Sequence, residues 1–349
     1  MRRIGLMSRS LPPCLCESTA LASLLIVLGF LGSACSRSRS DGSESETKAS
    51  PVTRSAEPST TGAGPTKLTV AAIAIVDTAP LHLARAKGFF AEQNLDITVQ
   101  STTGGHEAVP CVVSGQCQLA FANVISLMLA HSKGLPLKVI AAGSFSTGTP
   151  EDFGAIVVPA GSAVKTVKDL EGKTISVNQI NNIVGIAVRA SMRRAGGDPD
   201  KLKLIEVSFP EMPAALDQKR VDAACIVEPF LTVVRKQGAT VLDWTFADIR
   251  PTLMIAAYFT TTEYAQKNPD VVKRFTAAIN KSLTYASEHP DEARAILLTY
   301  TKIDKAIVDK LNLPLWTPHI DRASMNMTAD LMVQDKLVPS KPDIDALLP

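Results

Sequence analysis

Leu68-Thr69-Val70-Ala71-Ala72-Ile73-Ala74-Ile75, then Thr78-Ala79-Pro80, residues 81–90 and Leu95-Asp96-Ile97-Thr98-Val99 form the stretch from which the architecture can be read. The opening run is almost wholly apolar, as expected of a strand buried on both faces. Pro80 turns the chain. Leu81, Ala84, Phe89 and Phe90 then fall at helical spacing, and Gly88 marks that helix's end. Residues 95–99 read as a second strand. Strand, helix, strand at this spacing is a parallel βαβ unit.

The same grammar continues on both sides of residue 150. Gly104-Gly105 breaks the second strand, and a helix is predicted over 106–113, a short strand over 119–122, a helix over 124–132 and a strand over 137–142. A new passage starts at 153–158. It predicts strands at 174–177, 202–207, 223–227 and 241–242, with helices at 182–195 and 212–218. Two near-repeated α/β halves imply two lobes, each an open doubly wound sheet with parallel strands. Residues 253–260 read as a returning strand. From Pro269 the chain is predicted helical and surface-exposed, with helices that pack back on the first lobe.

The chain's first part has a different character. Arg2, Arg3 and Arg9 precede an apolar run from Thr19 to Leu31, which ends in Gly32-Ser33-Ala34-Cys35. A basic start, apolar middle and small-residue end make an export signal over residues 1–34. The run is shorter than the ~20 residues of a spanning helix. Cys35 directly after the small residues is the candidate for lipidation, although Gly32 stands where a lipobox usually has Leu. Residues 35–66 are rich in Ser, Thr, Pro and Gly, and predict a flexible tether. An exported chain anchored to the membrane by lipid, extracytoplasmic or periplasmic, follows. About 280 residues remain, enough for one large domain or two smaller lobes. The whole chain is +2 and residues 1–34 carry that charge, so the body is neutral. Neutrality argues against a nucleic-acid partner.

Cys111 and Cys117 either bridge across a short loop or remain partly buried thiols, and Cys225 reads as a core residue. No cysteine or histidine cluster has metal-ligand spacing, and no metal or cofactor is expected. Nucleophile elbows, phosphate-binding lysine loops and His-Glu-x-x-His are absent.

Several segments resemble one family in order and spacing. They are Pro80 through Phe90 with Asn94-Leu95-Asp96-Ile97, Gly104-Gly105-His106-Glu107, Ser114 through Asn123, Lys133 through Val139, Val167 through Ile175, and Ala215 through Ala224 leading to Glu228-Pro229-Phe230. They are similar to the nitrate/sulfonate/taurine-type solute-binding proteins of ABC importers, which share a domain with thiamine-pyrimidine synthases. The resemblance covers residues 67–290. It implies a bilobal periplasmic-binding-protein fold of type II, joined by two crossovers near 160 and 250. Lobe 1 would comprise 67–160 and 250–349, and lobe 2 would comprise 161–249. It also implies a monomer that captures a small molecule by hinge closure and delivers it to a permease driven by an ATPase. The solute would be a sulfonate, nitrate, taurine or a pyrimidine-like heterocycle. The synthases of this family carry a cysteine-rich iron-binding segment that this chain lacks, so no enzymatic activity is expected.

Open α/β sheets bind ligands at the carboxyl ends of their strands. Eleven residues fall there. Asp77 either binds an amine or steadies the turn before Pro80, and Thr78 follows it. Gly104 and Gly105 either expose backbone N–H groups to a ligand or simply turn the chain into a helix. His106 beside them is a contact or a surface residue. Asn123 serves a ligand, a helix N-cap or both. Asn178, Asn181 and Asn182 surround a helix start with more amides than capping needs. Glu228, in an apolar strand end, requires a partner, either a ligand N–H or a basic side chain. Tyr258 lines the cleft or packs in the core.

Overall fold

The computed structural model describes residues 64–349. The export segment, Cys35 and the tether as far as residue 63 lie outside the described residues. The first half builds β1 (Thr66–Ile73), α1 (Ala79–Ala86), α2 (Phe89–Glu92), β2 (Leu95–Thr102), α3 (Gly105–Val113), β3 (Leu119–Asn123), α4 (Val124–Ser132) and β4 (Leu137–Ala142). The second builds β5 (Gly154–Val158), β6 (Thr174–Val177), α5 (Ile183–Arg194), β7 (Lys203–Glu206), α6 (Met212–Asp217), β8 (Ala223–Val227), α7 (Phe230–Lys236) and β9 (Thr240–Asp243). β10 (Ala256–Thr261) follows, then α8 (Thr262–Lys267), α9 (Pro269–Glu288), α10 (Pro290–Ala295), α11 (Lys305–Val308), α12 (Arg322–Gln334) and α13 (Ile344–Leu347).

The strands form two five-stranded sheets, ordered β2-β1-β3-β10-β4 and β7-β6-β8-β5-β9. The two orders are the same pattern written twice. One strand in each sheet departs from the all-parallel expectation: β10 runs antiparallel between β3 and β4, and β5 antiparallel between β8 and β9. The reason is geometric. A chain that leaves one sheet at the carboxyl ends of its parallel strands enters the other at that same end, so the arriving strand runs backwards.

The first crossing, expected near residue 160, runs through 143–153, because β5 already belongs to the second sheet. The second runs through 244–255. The two crossings are hydrogen-bonded to each other: Ser146 N donates to Leu253 O at 2.8 Å, and Ile255 N to Ser144 O at 2.8 Å. Phe145 also exchanges two bonds with Leu315. Gly143 is needed here, since a Cβ would lie 2.7 Å from both Ala256 O and the Phe121 ring.

The residues after Pro269 are less exposed than their mixed composition predicts. α9 turns Phe275, Ala278, Ile279, Ser282, Leu283 and Ala286 inward, one amphipathic stripe against α1 and α2. Phe90 stacks on Phe275 at 5.4 Å between ring centres. Cys111 and Cys117 are disulfide-bonded, tying the last turn of α3 to the start of β3, while Cys225 is buried and free in β8.

α12 packs on α4, α5 and α13, and so spans from helices of the first sheet to a helix of the second. Asp335, just past its end, is the polar centre of this strap. Its carboxylate accepts from Arg189 Nε at 3.1 Å and from Arg193 Nη1 at 2.5 Å and Nη2 at 3.2 Å, and its side chain is only 3% exposed. Removing the carboxylate takes both hydrogen bonds from the Arg193 guanidinium and leaves Arg189 with Asp200 and the Pro199 carbonyl. Asp335→Ala is therefore expected to lower stability by about 2 kcal/mol in urea unfolding. A loss within about 0.5 kcal/mol, typical of ordinary surface substitutions, would show that the strap contributes little.

Candidate functional site

The carboxyl ends of the parallel strands in both sheets meet around a cavity of about 40 Å³. That volume holds about three waters. Its wall is mostly apolar, with Ile73 at the end of β1, Ile75 just after it, Phe121 on β3, Phe153 before β5, Phe209 after β7 and Phe246 after β9. Phe153 and Phe246 support one another at 5.5 Å between centres. The polar lining is Asp77, Asn123, Asn178, Asn182 and the Gly104-Gly105 backbone; no lysine, arginine or histidine lines the cavity.

Most of these polar groups are already committed to helix starts. Asn123 caps α4, accepting from Ser126 N at 3.0 Å and donating to Ser126 Oγ at 2.9 Å. The same Oδ1 reaches across the cleft to Ile183 N at 3.4 Å. Asn182 caps α5 through Val184 N at 2.9 Å and Gly185 N at 3.2 Å, and donates to Asn178 Oδ1 at 3.0 Å. Gly104 is pressed against the second half of the chain: a Cβ there would lie 2.5 Å from Gln179 Oε1. Gly185 leaves no room either, with Ile180 O at 1.9 Å from any Cβ. The rims are closed on each other.

Asp77 differs. It sits in a single turn after β1, 2% exposed. Ser144 Oγ donates to its Oδ1 at 2.5 Å, and Trp316 Nε1 to its carbonyl at 3.3 Å. Oδ2 has no hydrogen-bond partner among the described residues. Burial raises its pKa to about 6, against the lowering effect of Ser144.

The profile of the NMT1/THI5-like family matches residues 75–293. The chain belongs to that family. A formylaminopyrimidine-binding protein of Halalkalibacterium halodurans is 25% identical over 257 residues, covering 72% of this chain and 73% of that one. A 4-amino-5-hydroxymethyl-2-methylpyrimidine phosphate synthase of Saccharomyces cerevisiae is 23% identical over 227 residues, 61% of this chain and 64% of that one. The alkanesulfonate-binding protein of Xanthomonas axonopodis pv. citri, solved with MOPS, shares the fold at TM-score 0.70 and 19% identity, over 82% of this chain and 99% of its own. The periplasmic nitrate-binding protein of Synechocystis PCC 6803 does so at TM-score 0.69 and 15% identity, over 81% and 86%. The architecture is therefore the periplasmic-binding-protein fold. Among the described residues no helix is long and apolar enough to cross a membrane.

Of the eleven residues that the sequence singles out, Asp77, Gly104, Gly105, Asn123, Asn178 and Asn182 line the cavity of this NMT1/THI5-like chain. The other five do not. Thr78 turns its hydroxyl onto Ile73 O and Ile75 O at 2.9 and 3.0 Å, closing the turn. His106 and Asn181 face an outer groove at the cleft's lip. Tyr258 is fully buried behind Phe121, ring centres 5.2 Å apart, and its hydroxyl has no partner among the described residues.

Glu228 corrects the strand-end rule. Its carboxylate turns back to start α7, accepting from Thr232 N at 3.0 Å, Thr232 Oγ1 at 2.7 Å and Asn312 N at 3.3 Å. Its carbonyl meets the turn after β1, accepting from Val76 N at 3.1 Å. The apolar walls, Phe153, Phe209 and Phe246 above all, went unnoticed because isolated phenylalanines in α/β sequence look like core. The approach of Gln179 to Gly104 is invisible in sequence.

Burial pushes the Glu228 carboxyl up to about 7, with Thr232 and Asn312 opposing. A carboxyl raised on folding costs stability once it ionises: the cost is absent below the ordinary value of 4.5 and complete above about 7. Buried His82, lowered to about 4, works the other way in part of this window. The informative quantity is therefore the difference between proteins. Glu228→Gln should gain on the wild type by on the order of 2 kcal/mol between pH 5 and pH 8. Parallel melting-temperature profiles for the two proteins would contradict this.

Proposed function

We propose that the chain is an extracytoplasmic solute-binding lipoprotein of an ABC import system. The lobe holding the first sheet (residues up to 142 and from 256 on) and the lobe holding the second (154–243) close over a small molecule, and the loaded form docks on a permease served by an ATPase. Cys35 bears the lipid, and the monomeric body does no chemistry. The observation that carries this reading is the cavity shared by the carboxyl ends of two like-ordered sheets, with wall residues from both. Ligand sites favour such inter-domain clefts. The relative named for formylaminopyrimidine binding supports it. The yeast synthase relatives support a second reading, a pyrimidine-forming enzyme on the same scaffold.

A cavity of about 40 Å³ admits no organic solute as it stands. Capture thus requires the lobes to part and close again, the hinge movement for which the paired crossings 143–153 and 244–255 are placed. Chain lacking residues 1–34 should show a thermal shift with at least one compound among sulfonates, nitrate, taurine and pyrimidines, and a smaller radius of gyration by X-ray scattering in its presence. In a bacterial host, labelled palmitate should enter the full chain and be lost in Cys35→Ser. No shift across all four classes would overturn solute capture, and label retained by Cys35→Ser would overturn the anchor.

A further inference from the structure

We propose that Asp77 selects the solute: its free carboxylate oxygen accepts a hydrogen bond from an N–H group of a small planar nitrogen compound, and the cleft rejects simple oxyanions. This rests on the solute-capture reading and narrows it.

The argument begins with Asp77 Oδ2. Buried acceptors in native proteins are nearly always satisfied, and one that is not calls for a reason. Oδ1 and the backbone carbonyl of Asp77 are held by Ser144 and Trp316, so the residue is fixed. Oδ2 alone is left without a partner on a residue that lines the cavity. The charges around it favour a donor. Among the described residues no cationic side chain lines the cavity, and Asp152 adds repulsion. An entering nitrate or sulfonate would meet a carboxylate with no countercharge, in an apolar wall where such repulsion is poorly screened. Two of the three helix starts at the cavity are spent, since Asn123 and Asn182 already take the first N–H groups of α4 and α5, while the start of α3 at Gly104-Gly105 carries no side-chain cap. The phenylalanine walls suit the face of a flat ring.

The competing account is a water bridging Oδ2 to the Tyr258 hydroxyl, which also lacks a partner. In that case Asp77 serves the scaffold alone.

The test compares matched probes on the chain lacking residues 1–34 by titration calorimetry. 4-Aminopyrimidine carries the N–H donor and pyrimidine lacks it; ethanesulfonate and nitrate are the anions. The expected result is at least a tenfold preference for 4-aminopyrimidine over pyrimidine, removed in Asp77→Asn, with neither anion binding more tightly than pyrimidine. Without ligand, Asp77→Asn should melt at the same temperature as wild type or higher, since a retained buried carboxylate serves binding at the expense of stability. Equal affinity for the two pyrimidines, or tight binding of an anion, overturns the inference while solute capture stands. A lower melting temperature for ligand-free Asp77→Asn assigns Asp77 to the scaffold and also overturns it. Failure of every probe, together with the failure of the broader panel, removes the capture reading itself.

Discussion

Helix N-termini must find partners for their first N–H groups, and in this fold several of those termini point into one cleft. The constraint follows from the sheet order. Parallel strands deliver each following helix to the same end of the sheet, and two sheets that meet at those ends double the number of unsatisfied donors. The chain meets the demand with short polar side chains: Asn123 for α4, Asn182 for α5 and Glu228 for α7. Polar residues at strand ends are thus consumed by capping first. What remains uncommitted after that is what a guest can use. By this subtraction the cleft of many polar residues becomes a mostly apolar cavity whose uncommitted polar groups include Asp77 Oδ2 and the uncapped start of α3.

The fold was largely legible, because periodicity is a local signal. β3, α4, β4, β6 and β8 lie within a residue of where the pattern of apolar residues puts them. The reversal of β5 and β10 was not legible, since strand direction depends on where the chain enters a sheet and not on the strand's own composition. The site was half legible for a related reason. Asp77, Asn123 and Asn182 are marked by the strand-end rule, but so is Glu228, whose side chain rotates to Thr232 four residues on. A rule about backbone position cannot say which way a side chain turns.

The two cysteine alternatives show the same limit. A six-residue spacing is equally compatible with a bridge and with two thiols, and only the approach of α3 to β3 brings Cys111 and Cys117 together. Trp316 is similar: alone in sequence, it lands on the carbonyl of Asp77, across 239 positions of chain. The C-terminal third therefore shapes the cleft floor from a distance, through Trp316 and through the Leu315 bonds to the first crossing.

The contacts that join the two halves of the chain differ inside and outside the cleft. Inside the cleft the direct bond from Ile183 N to Asn123 Oδ1 is long, at 3.4 Å, and its acceptor already serves Ser126. Such a bond is cheap to lose when water can replace it. Outside the cleft the Asp335 carboxylate holds two arginines of α5 at 2.5 to 3.2 Å in a nearly dry setting. Charge-assisted bonds of that kind are the stronger ones. If α12 moves with the first sheet, parting the lobes breaks the strong contact. If it moves with α5, parting strains its packing on α4 instead. On the proposed hinge reading, opening also breaks the backbone bond from Val76 N to Glu228 O at 3.1 Å, so the resistance to opening is shared between the cleft and the outer face.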